Sequence, residues 1–117
     1  MNAYEIPNLR FSLPAGGAVA RARFVSVDAN GKGIQAGTAA MVIGASMNLV
    51  KAEELEAGER IVEVADGIVM VEAGEAITSG VAVYANADGK AVTTGTKVAG
   101  IAITDATADG QLVAVKI

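Results

Sequence analysis

Val25-Ser26-Val27-Asp28-Ala29-Asn30-Gly31-Lys32-Gly33-Ile34-Gln35-Ala36-Gly37-Thr38 returns 58 residues later as Val83-Tyr84-Ala85-Asn86-Ala87-Asp88-Gly89-Lys90-Ala91-Val92-Thr93-Thr94-Gly95-Thr96, with six of fourteen positions identical. Each copy starts with a short apolar run and then turns at Asp-Ala-Asn-Gly or Asn-Ala-Asp-Gly. Asn-Gly and Asp-Gly suit tight hairpin turns because Gly accepts positive φ and the short Asx side chain bonds its own backbone. The stretch therefore reads as strand, turn, strand, twice over. A second echo sets Ala57-Gly58-Glu59 before Ile61-Val62-Glu63-Val64, and Asp109-Gly110-Gln111 before Leu112-Val113-Ala114-Val115. Two related β-halves forming one core are expected.

Working outward, residues 19–27 read as a strand with Arg21 and Arg23 on one face. Residues 39–43 and 47–50 read as short apolar strands around Gly44. Residues 53–58 read as one helical turn or an acidic loop. Residues 60–65 alternate, Asp66-Gly67 reads as a turn, and residues 68–71 as the next strand. Residues 81–85, 98–103 and 112–117 complete the set. About eight short strands with Gly at nearly every corner predict an all-β fold, a small Gly-rich β-barrel or β-sandwich.

Composition agrees. Val and Ile together number 24 against 5 Leu, with 24 Ala and 14 Gly, and β-branched residues suit the pleated surface of a sheet. The 117-residue chain is 52% hydrophobic but only 3% aromatic. A core of Ala and Val buries less area per residue than Leu or Phe would, so self-association or docking is expected to add stability.

The chain has no His, Cys or Trp. Zinc sites of the usual ligand type, thiol nucleophiles, disulfides and Ser-His-Asp relays are excluded. Net charge is −4, from 9 basic and 13 acidic residues, so the basic excess of a nucleic-acid surface is missing. Residues 1–7 have neither the basic nor the apolar region of a signal peptide, and no uncharged run approaches the roughly 20 residues of a membrane helix. A soluble protein made in the cytoplasm, with no nucleic-acid or membrane partner, is expected.

Residues 1–18 differ from the rest. Pro7 and Pro14 fix extended backbone, and Ala15-Gly16-Gly17-Ala18 closes the segment. Two of the four aromatics fall here, among Tyr4, Ile6, Leu9, Phe11 and Leu13. Residues 1–18 are expected to form an extended N-terminal arm on a single β domain of residues 19–117. Such an arm packs along its own domain, or lies on a neighbouring subunit or another protein by strand addition. Tyr4, Ile6, Leu9, Arg10 and Phe11 are the candidate contact residues, and deletion of residues 1–14 is expected to abolish binding while leaving the fold intact.

Other constellations carry less. Asp28-x-Asn30-Gly31 and Asn86-x-Asp88-Gly89 hint at calcium loops, but the further oxygens and the closing Glu of such a loop are missing. Glu53, Glu54, Glu56 and Glu59 read as a solvated acidic loop, since four aromatics cannot line a sugar cleft. Arg21 and Arg23 read as an anion clamp or as cross-strand ion pairs. Residues 71–81 resemble the glycine rhythm of lipoyl and biotinyl carrier domains, with Lys90 near the place of the carrier lysine. Gly89 interrupts the Asp-Lys-Ala expected there. No catalytic residue, cofactor or metal is assigned, and the chain is not expected to be an enzyme.

Residues 73–84 are followed by Asp88-Gly89-Lys90, then Gly95-Thr96-Lys97-Val98-Ala99-Gly100-Ile101-Ala102, then Ala108-Asp109-Gly110-Gln111-Leu112-Val113-Ala114-Val115. In order, spacing and total length this resembles the bacteriophage capsid decoration, or head cement, family of small β proteins. Val81 departs from it, standing where an acidic residue often follows the glycine. The resemblance implies a structural virion protein that binds the outer surface of an assembled phage head and stabilises the capsid. It also implies the major capsid protein as partner, a homo-oligomer with a trimer favoured, and a place on the capsid surface. The alternative is a fibre or spike-base module recognising the host surface.

Overall fold

Hydrogen-bonded pairing rather than turn position decides where the strands begin and end. The computed structural model describes residues 5–47 and 61–117; the carboxylates of residues 53–59, with Tyr4, lie outside them. Among the described residues nine strands form: β1 (Ile6–Pro14), β2 (Phe24–Val27), β3 (Gly33–Gln35), β4 (Gly44–Ser46), β5 (Ile61–Glu72), β6 (Ala82–Ala85), β7 (Ala91–Val92), β8 (Gly100–Ala102) and β9 (Leu112–Lys116). Among the described residues there is no helix. The strands make a curled antiparallel sheet, a half-barrel, so the fold is all-β as expected.

Three expectations about the strands need correction. Residues 60–65 and 68–71 are one strand, β5, that runs through Gly67. Gly67 takes φ +95° inside it, where β1 bulges between Pro7 and Arg10 and Asp66 Oδ1 accepts the Leu9 N–H at 3.0 Å. An Asp-Gly pair here makes a bulge, not a turn. Residues 39–43 form no strand; Ala39 is left-handed (φ +64°), and pairing starts only at Gly44. Of residues 19–27 only Phe24–Val27 are strand, because Ala22 (φ +56°) turns the chain just before.

The internal repeat governs the topology. Pairing runs β1–β5–β4–β2–β3 in the first half and β5–β9–β8–β6–β7 in the second. The long strand β5 ends the first half, as β9 ends the second, and then begins the second half, as β1 begins the first. Local detail repeats too. Asp28 Oδ1 accepts the N–H groups of Asn30 and Lys32, and Asn86 Oδ1 accepts those of Asp88 and Lys90. Gly31 and Gly89 close the two turns at φ +78° and +75°. Gly16 donates to the Gly33 carbonyl and Gly74 to the Ala91 carbonyl, both at 2.8 Å.

The halves pack head to tail, not as mirror partners. Successive side chains of β5 point to opposite faces. Val62 and Val64 join a small cluster with Val19 and Val25, against which Phe11, Leu13 and Ile43 pack. Ala65, Val69 and Val71 face the main core, where Phe24 and Ala45 of the first half meet Val83, Val113 and Val115 of the second. The outward face of the first half's sheet thus becomes part of the lining of the second half's core. Phe24 is the largest fully buried side chain among the described residues, and its burial contributes roughly 1.5–3 kcal/mol.

Candidate functional site

The described contact candidates all lie on β1, which is paired along β5 of its own chain. Ile6 sits opposite Ile68, and Phe11 opposite Val64, on one face of the sheet. Arg10 sits opposite Ala65 on the other face, because the bulge shifts the register between them. Ile6 is 60% exposed and Leu9 53%, whereas Phe11 is half-buried against the small apolar cluster. Arg10 Nη2 lies 3.9 Å from Glu63 Oε2, with both side chains mostly in solvent, and such a pair contributes little. A shallow depression lined by Arg10, Phe11, Ser12 and Glu63 marks this end of the strand. The four residues share a strand but not a surface.

A denser polar cluster lies where the halves meet. Arg23 precedes β2, Glu72 ends β5, Lys90 follows the β6–β7 turn, and Asp109 precedes β9. Arg23 Nη2 lies 2.9 Å from Glu72 Oε2, and its Nη1 donates to the Asp88 carbonyl at 3.0 Å. Lys90 Nζ lies 3.0 Å from both Glu72 Oε2 and Asp109 Oδ1. The hydrogen bonds that Lys90 donates to Glu72 and then to Asp109 push its ammonium above the ordinary pKa. The Phe24 N–H also donates to the Gly89 carbonyl at 2.8 Å, tying the second turn to the first half.

Sequence alone marks two of the cluster's members, Arg23 and Lys90, and does not bring them to Glu72 and Asp109. Arg23 stood out as one of an alternating pair, and it does make an ion pair. Lys90 stood out as a carrier lysine. A carrier lysine must offer a free amine at a hairpin tip, whereas the Lys90 amine is held between two carboxylates. Asp28 and Asn86 spend their side-chain oxygens on turn N–H groups, the role expected of them. Among the described residues no group of three or more acidic side chains is placed to hold a metal ion. The arrangement is suited to holding two β-units together and offering their outer surface.

Two comparisons bear on this arrangement. The chain resembles a solved structure described as the head fiber gp8.5 N base of bacteriophage phi29, with a TM-score of 0.70 and 23% identity over 93% of this chain and 92% of that one. That likeness is one of fold. No curated protein matches the sequence. The model of a family described as phage cement protein matches residues 5–117, which span every described strand, and so the chain belongs to the phage cement protein family.

Proposed function

We propose that this phage head protein binds the outer surface of the assembled head and stabilises the shell against internal pressure. The observation that carries the reading is the cement family match over residues 5–117. The composition supports it: a His- and Cys-free chain built from Ala, Val and Gly is equipped for packing rather than for catalysis. The protein acts without enzymatic activity, and its partner is the major capsid protein. It works as a homo-oligomer, with a trimer favoured, made in the host cytoplasm and carried on the virion. Each copy buries modest area, but many copies bridging neighbouring capsomers resist their separation together. Tyr4, Ile6, Leu9, Arg10 and Phe11 are proposed as contacts to the shell or to a neighbouring subunit.

The test mixes the purified protein with empty shells assembled from the major capsid protein of the same phage genome. Co-sedimentation, with a raised shell dissociation temperature, is expected. Absence of co-sedimentation, or bound protein that leaves shell stability unchanged, overturns the corresponding half of the reading. Binding to host cells in place of shells would instead support a module that recognises the host surface.

A further inference from the structure

We infer that the shell meets the outward sheet face of the second half, along a row that crosses five strands, more than it meets β1 alone. Ile6, Ile68, Lys116, Ile101 and Ala82 stand directly opposite one another in sequence of strands β1, β5, β9, β8 and β6. Directly opposed residues of antiparallel strands share a face. With strands about 4.8 Å apart, the row is about 19 Å long. Ile6 is 60% exposed and Ile101 42%; Ile68 is half-buried and Lys116 exposed.

The repeat supplies an internal comparison. In the first half the matching row is Arg10, Ala65, Ala45 and Phe24, again by direct pairing. There Ala65, Ala45 and Phe24 are wholly buried, because that face docks against the second half. The same face of the same β-unit is therefore a docking surface in one half and open in the other. The open copy carries Ile68 for Arg10 and Ile101 for Ala45, which add apolar surface, and Lys116 for Ala65 and Ala82 for Phe24, which put one charge at its centre and a smaller side chain at its end. The solvent face of an antiparallel sheet is ordinarily polar, and isoleucines exposed on both sides of a single lysine there point to an interaction site.

Charge argues against a two-fold contact between copies of this face. Lys116 stands at the centre of the row, and no acidic side chain among the described residues pairs with it; its Nζ donates to the Ile117 main-chain oxygen at 3.0 Å. Two copies meeting by this face about a two-fold axis would set Lys116 near Lys116, which is unfavourable. The face fits a different surface, one that is apolar with a carboxylate opposite Lys116. On the reading proposed above, on which this inference rests, that surface belongs to the shell protein.

The test uses the same empty shells, with sedimentation velocity and thermal melting of the free protein. Ile6→Lys and Ile101→Lys alter exposed positions and should leave melting and solution mass unchanged. Each is expected to weaken shell binding at least tenfold. Lys116→Glu is expected to weaken it severalfold, with recovery as salt screens the repulsion. If wild type binds and all three variants bind within twofold of it, this face is not the contact, while the shell-binding reading stands. If the variants lose oligomeric mass together with binding, a second copy occupies the face and the inference is overturned. If wild type itself does not bind, the shell-binding reading falls and takes this one with it.

Discussion

Arg23 Nη2 stands 2.9 Å from Glu72 Oε2, an ion pair only 17% and 27% exposed that joins the first half to the strand opening the second. Both side chains are further engaged, Arg23 with the Asp88 carbonyl and Glu72 with Lys90. Removing one member of such a pair leaves the other's charge partly desolvated. Arg23→Met, which keeps an apolar stem, is expected to lower stability by about 1–2 kcal/mol in urea unfolding. In a double-mutant cycle with Glu72→Gln the two losses should fall well short of adding. Additive losses would show that the pair is geometrically close but energetically independent.

Ala22 is left-handed at φ +56°, and the matching position of the second half is Gly80 at φ +91°. Both donate across to the neighbouring strand, Ala22 to the Ser46 carbonyl and Gly80 to the Ala102 carbonyl. An L-residue there costs roughly 1–2 kcal/mol, and glycine's extra freedom when unfolded offsets about 0.5–1 of it. Ala22→Gly should therefore raise stability by about 0.5 kcal/mol, against the usual direction of that change. Gly80→Ala should lower it by about 1 kcal/mol or more. Thermal midpoints moving oppositely for the two variants would bear this out; a loss in both would refute it.

These comparisons show what was legible in the sequence. The two Asx-Gly turns were, because their chemistry is local and bonds a residue to its neighbours two and four places on. The continuity of β5 was not, because the role of Gly67 is set by Ile6, Asn8 and Leu9 lying across from it. Alternation also revealed two-faced strands without saying which face meets which. Phe24 and Ala82 occupy equivalent positions, yet one is sealed in the core and the other lies on the outer face. For the same reason Ile6 could be singled out from its apolar segment, whereas Ile68, Ile101 and Lys116 become neighbours only through strand register.

Glu75 Oε2 accepts the Thr93 N–H at 2.6 Å and the Thr93 hydroxyl at 2.7 Å. The backbone bond first, then the hydroxyl, holds its carboxyl below the ordinary value of 4.5. A depressed folded-state pKa stabilises above the unfolded value and loses that contribution as pH falls through the folded one. Urea midpoints should therefore drop below about pH 4.5 by more in wild type than in Glu75→Gln. Lys90 behaves oppositely: its raised pKa stabilises the fold below the ordinary lysine value of 10.5 and loses that contribution only at more alkaline pH. Equal acid slopes for wild type and Glu75→Gln would remove Glu75 from the account.

Phe11 and Leu13 pack against the buried cluster of Val19, Val25, Val62 and Val64, whereas Ile6 and Leu9 are more than half exposed. Deleting residues 1–14 would strip β5 of a paired strand and uncover Val62 and Val64, so lost shell binding would then report unfolding as readily as lost contact. This departs from the expectation that the deletion leaves the fold intact, because β1 is part of the sheet. Point substitutions separate the two roles. Leu13→Ala should cost roughly 1–3 kcal/mol, at or below the low end for a core leucine since the site is only partly buried. Leu9→Ser should leave the melting temperature within about 2 °C, because exposed substitutions seldom exceed 0.5 kcal/mol. If Leu9→Ser weakens shell binding without a thermal cost, the outer edge of β1 is a contact; if only Leu13→Ala weakens binding, and does so together with its loss of stability, β1 serves the fold alone.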